Sequence, residues 1–321
     1  MQLKNLLLLF LCLSFLNTAY SQKYNVVDTI VDAYPKSIIS TDQLVELINN
    51  DFFKQDEKAR AVFKWVATNI SYDVDLAKTM EFKSIDAFSY KTEKEKEIKE
   101  RKFKLDLVTG AMASRKAVCH SYAALVEYLC LKLGLEAKIV IGNLKSNPSQ
   151  IGILPTDVNH AWNVIRIDND WKFIDATLAA GFISVKTNLF KFYFNDIYFF
   201  TNPDSFFLNH YPLDEHWLLT KKNKNDFAKL PLFFGNYFQN NYQLIKPESG
   251  LHLTSENEKF IFAIQGLDEY DTVEYSSSID NKVIYLDQKN DLDYGISLVG
   301  KKNSFISIFV NGKIIAIYKI I

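Results

Sequence analysis

A cysteine, a histidine and an aspartate stand at positions 119, 160 and 175 of this chain, in stretches whose patterns bring them towards one another. Cys119 lies in "AVCHSYAALVEYLCLKLGL", where Cys119, Ala123, Val126, Cys130 and Leu133 recur at helical spacing and Gly134 is placed to end the helix. The thiol therefore sits in a first helical turn, where backbone N–H groups and the positive end of the helix dipole favour a thiolate. Further on, "NHAWNVIRIDNDWKFIDATL" (159–178) reads as two strands joined by a tight turn at Asp168-Asn169. That turn sets Ile167 opposite Asp170 and, counting outward, Trp162 opposite Asp175, so His160 becomes the diagonal neighbour of Asp175 on one face of the sheet. A thiol, a base and a carboxylate that orients the base are the parts of thiol-based acyl transfer.

The helix alone leaves two readings of Cys119 open: a reactive thiol, or a second packed core cysteine beside Cys130. Cys130 lies near the end of an apolar stripe and reads as a small buried hydrophobe. Eleven helical residues separate the two cysteines by roughly 16 Å, beyond the ~7 Å Cα limit of a disulfide. Both thiols are expected to be free within one chain.

Several elements must position these groups. Ser40 with Gln43 makes a capping-box start for "TDQLVELINNDFF", and Ala59, Val62, Phe63, Val66 and Ile70 form the buried stripe of the next helix. "KTEKEKEIKERK" (91–102) reads as a solvated helix or a mobile loop. "EAKIVIGN" (136–143) reads as a strand. Near residue 222 the pattern changes to short strand candidates, "KFIFAIQG", "NKVIYLDQ", "YGISLVGK" and "SFISIFVNGKIIAIYKII", the last split by the hairpin signal Asn311-Gly312. Their spacing implies a small β-sandwich of immunoglobulin-like character. The expected organisation is thus residues 22–222 as an α+β domain and 223–321 as an all-β domain.

"KAVCHSYAALVEYLCLKLGL", "HAWNVIRIDNDWKFIDATL" and "FNDIYFFTNPDSFFLNHYPLDEHWLL", with the upstream "VFKWVATNISYDVDLA", resemble the transglutaminase-like superfamily, in particular the branch of the kyphoscoliosis peptidase and its bacterial relatives. The resemblance covers most of residues 40–220. It implies a papain-like core, a helix carrying the Cys packed on an antiparallel sheet carrying His and Asp, with Cys119 as nucleophile, His160 as base and Asp175 as its partner. The family usually has a Gln-Gly or Glu-Gly pair after the cysteine, whereas His120-Ser121 stand here, which bears on substrate shape more than on the triad. Successive helix residues point about 100° apart, so His120 is not placed to replace His160. Tyr72, in "ISYD", is a candidate oxyanion donor beside the Cys119 backbone N–H.

The N-terminus, "MQLKNLLLLFLCLSFLNTAYSQ", reads as a signal peptide over residues 1–21: Lys4 precedes an apolar run too short for a membrane span, and Ala19 and Ser21 supply small residues before Gln22. No lipobox-like pattern surrounds Cys12, and no later stretch is long and apolar enough to span a membrane. The chain has 37 basic and 38 acidic residues; removing residues 1–21 takes away Lys4 and no acid, so the net charge goes from −1 to −2. Such a balance argues against nucleic-acid and anionic-membrane partners. His210, His216 and His252 lack metal-ligand spacing, and there is no Gly-rich phosphate loop or Gly-x-Ser-x-Gly elbow, so no metal or cofactor is expected. The expectation is an exported (periplasmic, cell-surface or secreted) thiol enzyme acting on amide or carboxamide groups of a polypeptide substrate or cell-envelope protein. The competing reading is a non-catalytic envelope scaffold that keeps the same fold.

Overall fold

The computed structural model describes residues 23–38, 40–79, 89–184, 186–240, 242–253, 259–287 and 292–321; the segment read as a signal peptide lies outside them. No helix among the described residues is long and apolar enough to cross a membrane. Contacts divide the chain into two units, one of residues 1–140 and 160–201, the other of 141–159 and 202–321.

In the first unit, α1 (Asn25–Asp32) is followed by α2 (Thr41–Asp51), which begins where the Ser40 Oγ accepts the Gln43 N–H at 3.2 Å. Such a cap satisfies one of the amides a helix start leaves unused. In α3 (Gln55–Asn69), Ala59, Val62, Phe63 and Val66 are fully buried, as is Ile70 just beyond its end. Arg60 is buried with them because its guanidinium is met on all sides. It donates to both carboxylate oxygens of Asp28, at 2.8 and 2.7 Å, and lies 5.0–5.5 Å from the rings of Tyr24, Phe63, Phe194 and Phe199. A buried cation is tolerated only with such partners.

The two-residue strand β1 (Ser71–Tyr72) leads into α4 (Val74–Thr79). The charged run is helical: α5 (Glu93–Ser114) starts at Thr92, whose Oγ1 accepts the Glu95 N–H at 3.1 Å. Arg115 ends α5 with a φ of 57°, which turns the chain into β2 (Lys116–Ala117), paired in parallel with β1. Helix α6 (Cys119–Lys132) follows at once, then strands β3 (Glu136–Leu144), β4 (His160–Ile167) and β5 (Asp170–Ile174). Asp168 and Asn169 both take positive φ, 50° and 70°, as a two-residue hairpin turn of the tighter kind requires. After β5 come α7 (Ala176–Ala180), a ribbon of β6 (Gly181–Ile183) and β7 (Phe190–Phe192), and β8 (Phe199–Thr201). Strand order in the sheet is β8-β5-β4-β3. In β4 every residue but Arg166 is buried, which marks it as a central strand covered on both faces.

The second unit begins with the end of β3. Residues 142–144 pair with β9 (His210–Pro212), which follows the short helix α8 (Pro203–Phe206). The buried Lys145 donates to the carbonyls of Phe227, at the end of α9 (Lys224–Lys229), and Leu230, at 2.5 and 2.9 Å, which ties 141–159 to this unit. The strands beyond form two sheets. One has the order β10 (Leu232–Phe233), β18 (Lys313–Ile320), β17 (Ser304–Val310), β14 (Val273–Ser277), β15 (Ile284–Tyr285), with β12 (Leu251–His252) also on β18; the other is β11 (Gln243–Lys246), β13 (Lys259–Gln265), β16 (Asp293–Ser297). Side chains of both, among them Phe260, Phe262 and Ile296 from one and Ile306, Ile308 and Tyr318 from the other, make one core cluster.

Gly181 closes the β6-β7 ribbon onto α7. A Cβ there would lie 2.0 Å from the Lys191 carbonyl oxygen and 2.9 Å from the Tyr193 nitrogen, so the backbone itself would have to move. Gly181→Ala is expected to cost at least about 1–3 kcal/mol, the usual penalty of forced overpacking, read as a lower denaturation midpoint. An unchanged midpoint would show that the ribbon gives way freely.

Candidate active site

The thiol, the imidazole and the carboxylate lie within the first unit. Cys119 is the first residue of α6, preceded by Val118, whose side chain offers no acceptor to cap the helix. The carbonyl of Val118 accepts from Ser121 and Tyr122, whereas the N–H groups of Cys119 and His120 are outside the helical ladder, as at any helix start. The thiol thus stands beside backbone donors.

His160 opens β4 and Asp175 follows the last residue of β5. The registers Ile167 opposite Asp170 and Asn163 opposite Ile174 carry the hairpin outward so that Asp175 meets the start of β4. His160 Nε2 lies 2.7 Å from Asp175 Oδ2, and both residues are buried. The second carboxylate oxygen, Oδ1, accepts the Leu178 N–H at 3.0 Å, which makes Asp175 the N-cap of α7. The Asp175 N–H in turn donates to the Tyr198 carbonyl at 3.0 Å. One oxygen thus meets a helix start and the other an imidazole.

Burial alone would push the His160 imidazole down. The Asp175 carboxylate, through its charge and its hydrogen bond, and then Cys119, through a side-chain hydrogen bond and its charge, outweigh burial and hold the imidazole above the ordinary histidine range. His160 and Asp175 are therefore a contacting pair, and Cys119 acts on the same imidazole. The Trp162 indole lies beside the His160 ring, centroids 6.0 Å apart and planes 29° apart.

Tyr72 reaches the same place from β1. The parallel ladder sets Tyr72 beside Ala117, and the Asp73 N–H donates to the Ala117 carbonyl at 2.9 Å, two residues before the thiol. Burial, then the charges of Cys119 and Asp175, push the Tyr72 phenol up to about 12, so it stays protonated at neutral pH and can donate. His120 is different. Burial, followed by Lys104 and His160, pushes its imidazole down to about 4, and its ring meets Phe103 edge-on at 6.1 Å.

Asn163 is a positioning residue that the sequence reading does not single out. Buried in β4, its Nδ2 donates to the Ala123 carbonyl at 2.9 Å, one turn along α6 from Cys119, and so fixes the helix against the strand. Its only mark in the sequence is an amide within the apolar run "AWNVI". Glu127 makes a second tie, accepting from Lys104 of α5 at 2.6 Å and from the Ile139 N–H of β3 at 3.1 Å. Cys130 is fully buried; burial and then Glu127 push its thiol above the ordinary range.

Asp175→Asn removes the charge and leaves the burial, so the His160 pKa is expected to fall below the usual imidazole range. A ¹⁵N NMR titration of the imidazole in the two proteins checks this. A His160 value that stayed raised would show that something other than Asp175 holds the proton.

With this geometry in place, residues 41–176 match the family model of the transglutaminase-like superfamily, a span that contains Cys119, His160 and Asp175. The kyphoscoliosis peptidase of Mus musculus is 30% identical over 166 residues, 51% of this chain and 22% of that protein. Its counterpart in Homo sapiens is 27% identical over 195 residues, 60% of this chain and 26% of that protein. The chain thus spans about a quarter of the length of these curated relatives. A solved TGase crystal structure shares 21% identity over 57% of this chain and 42% of that chain, with a TM-score of 0.29.

Proposed function

Taking residues 41–176 as a transglutaminase-like domain, we propose that this chain is an exported thiol enzyme that transfers acyl groups from polypeptide amides or carboxamides. One observation carries the reading: a buried histidine lies 2.7 Å from a buried aspartate, with a cysteine at a helix start close enough to raise the imidazole further. Export rests on the apolar run at residues 6–16. Residues 223–321, read as an immunoglobulin-like domain, have no part in bond making.

In this reading the proton of the Cys119 thiol passes to His160, whose imidazolium the Asp175 carboxylate stabilises. The thiolate attacks the amide carbonyl carbon, forming a C–S bond and an oxyanion. In this reading the Cys119 backbone N–H and the protonated Tyr72 hydroxyl donate to that oxyanion. Collapse breaks the C–N bond, and the leaving amine takes the proton from His160. Water or a second amine then attacks the thioester, gives its proton to His160 and releases the thiolate. The products are a hydrolysed or deamidated chain in one case and a cross-linked or transamidated one in the other. Every group required belongs to the chain, and the scheme needs no cofactor.

A binding-only reading, an envelope scaffold that keeps the fold, draws on the burial of Cys119, which is only 7% exposed. The two differ in chemistry. Incubating the protein with a peptide library under reducing conditions, followed by mass spectrometry, is expected to yield cleaved, deamidated or cross-linked peptides, abolished by Cys119→Ala and nearly so by His160→Ala. Asp175→Asn is expected to leave a folded protein slowed on the order of 10²–10⁴-fold. No product in any class from the unsubstituted protein would favour the scaffold.

The nucleophile has its own test. At pH 6, where an ordinary thiol is almost wholly protonated, iodoacetamide is expected to alkylate Cys119 well before the fully buried Cys130 in the folded protein. Equal or reversed labelling, read by peptide mapping, would remove Cys119 from the role.

A further inference from the structure

We propose that one face of the β6-β7 ribbon is the surface on which the polypeptide substrate lies, and that it selects a large apolar side chain close to the reacting amide. The inference rests on the acyl-transfer reading and deepens it by naming what the site takes.

The ribbon is joined to the site by chain and by contact. It starts at Gly181, six residues after Asp175, the N-cap of α7, and it is pinned there by N–H donation from Tyr193 to the Ala180 carbonyl at 3.0 Å and from Asn195 to the Ala179 carbonyl at 2.9 Å. The register sets Gly181 opposite Phe192 and Ile183 opposite Phe190, so these four share one face, while Phe182 and Lys191 share the other. On the first face, Phe190 packs against the core and its ring lies 6.5 Å from that of Tyr72. Phe192 stands edge-on to Phe190 at 5.0 Å. Tyr72, Phe190 and Phe192 are thus a row of rings that begins at the strand paired with Ala117, two residues before Cys119, and runs outward.

The outer end of that row is bare: Phe192 is 53% exposed and Ile183 41%. Isolated exposed apolar residues need no explanation, but a contiguous aromatic row leading from a thiol does. No charged side chain stands among Tyr72, Ile183, Phe190 and Phe192, and residues 181–195 contain Lys186 and Lys191 but no acid. The occupant that fits is an extended polypeptide with Phe, Leu or a similar side chain. At about 3.3–3.6 Å per extended residue, a side chain over Phe190 or Phe192 belongs about two to four residues from the amide held at the sulfur.

The test uses the full chain with Cys119→Ala, so that binding is read without turnover. The probes are two fluorescein-labelled peptides with a central glutamine, one carrying Phe and Leu about two to four residues from the glutamine on both sides, the other carrying Ser there. Fluorescence anisotropy is expected to show the aromatic peptide bound about tenfold more tightly, the scale of burying one or two anchoring side chains. Adding Ile183→Ser or Phe192→Ser is expected to reduce that preference to about twofold or less, while Phe182→Ser, on the other face, leaves it intact. No preference in the parent, a preference that survives Ile183→Ser and Phe192→Ser, or equal loss with Phe182→Ser overturns the proposal. Turnover of the aromatic peptide by the chain with Cys119 in place is measured separately. Absence of product with the binding preference intact would sink acyl transfer and leave the surface standing.

Discussion

A carboxylate with no exposure to solvent, Asp175, is the constraint around which the first unit is built. Taking an ion out of water costs several kcal/mol even after relaxation, so each of its oxygens needs a donor. The Leu178 N–H supplies one and His160 the other. That requirement reaches far along the chain. The hairpin must turn at Asp168-Asn169 and nowhere else, because a one-residue slip would send His160 to the opposite face. The chain must also become helical directly after β5, and Tyr198 must come back to accept the Asp175 N–H.

The thiol is placed by a second set of restraints, one of which starts from the strand that carries His160. Helix α6 is held at Ala123 by Asn163, at Glu127 by Lys104 and Ile139, and through the Tyr122 hydroxyl, which donates to the Ile70 carbonyl at the end of α3. Each tie joins α6 to a different element. A rotation of the helix by one residue, about 100°, would present His120 in place of Cys119 and break all of them. The distinction between these neighbours is therefore a packing decision, and the surroundings of the two imidazoles show its result: burial keeps the His120 ring neutral, while Asp175 keeps His160 a proton acceptor.

Much of this was legible in the sequence where a local rule dictates a long-range result. Asp168-Asn169 specifies a two-residue turn, the turn specifies the register, and the register pairs His160 with Asp175. Ser40 and the stripe Ala59, Val62, Phe63, Val66, Ile70 follow the same logic for helices. Other features are not written locally. The ladder that brings Tyr72 beside Ala117 is two residues long, and nothing in "ISYD" announces a parallel partner more than 40 residues on. The ribbon at 181–192 has strands of three residues, below what alternation can reveal. The charged run at 91–102 has no apolar stripe, and its helicity follows from the Thr92 cap and from Val108, Ala111 and Met112 further along the same helix. The change of pattern near 222 marks where strands become frequent, whereas contacts divide the chain at 201, because β9 and the buried Lys145 join stretches from either side of β4 in sequence.

The surroundings of the sulfur bear on what can follow acylation. Cys119 has little exposure, Trp162 lies beside the base, and Tyr72 continues into an aromatic row. A thioester formed there would be bordered by rings more than by water, and hydrolysis depends on a water molecule reaching the carbonyl along a path that His160 can deprotonate. A polypeptide lying over Phe190 and Phe192 would narrow that path further, since burying those rings removes the water around them. An incoming amine carried on a second chain brings its own apolar surface to the same rings, whereas water brings none. On the proposed reading, a ribbon that gathered the first substrate would also tilt the choice of acceptor, towards hydrolysis when empty after the first product leaves and towards transfer when a second chain occupies it.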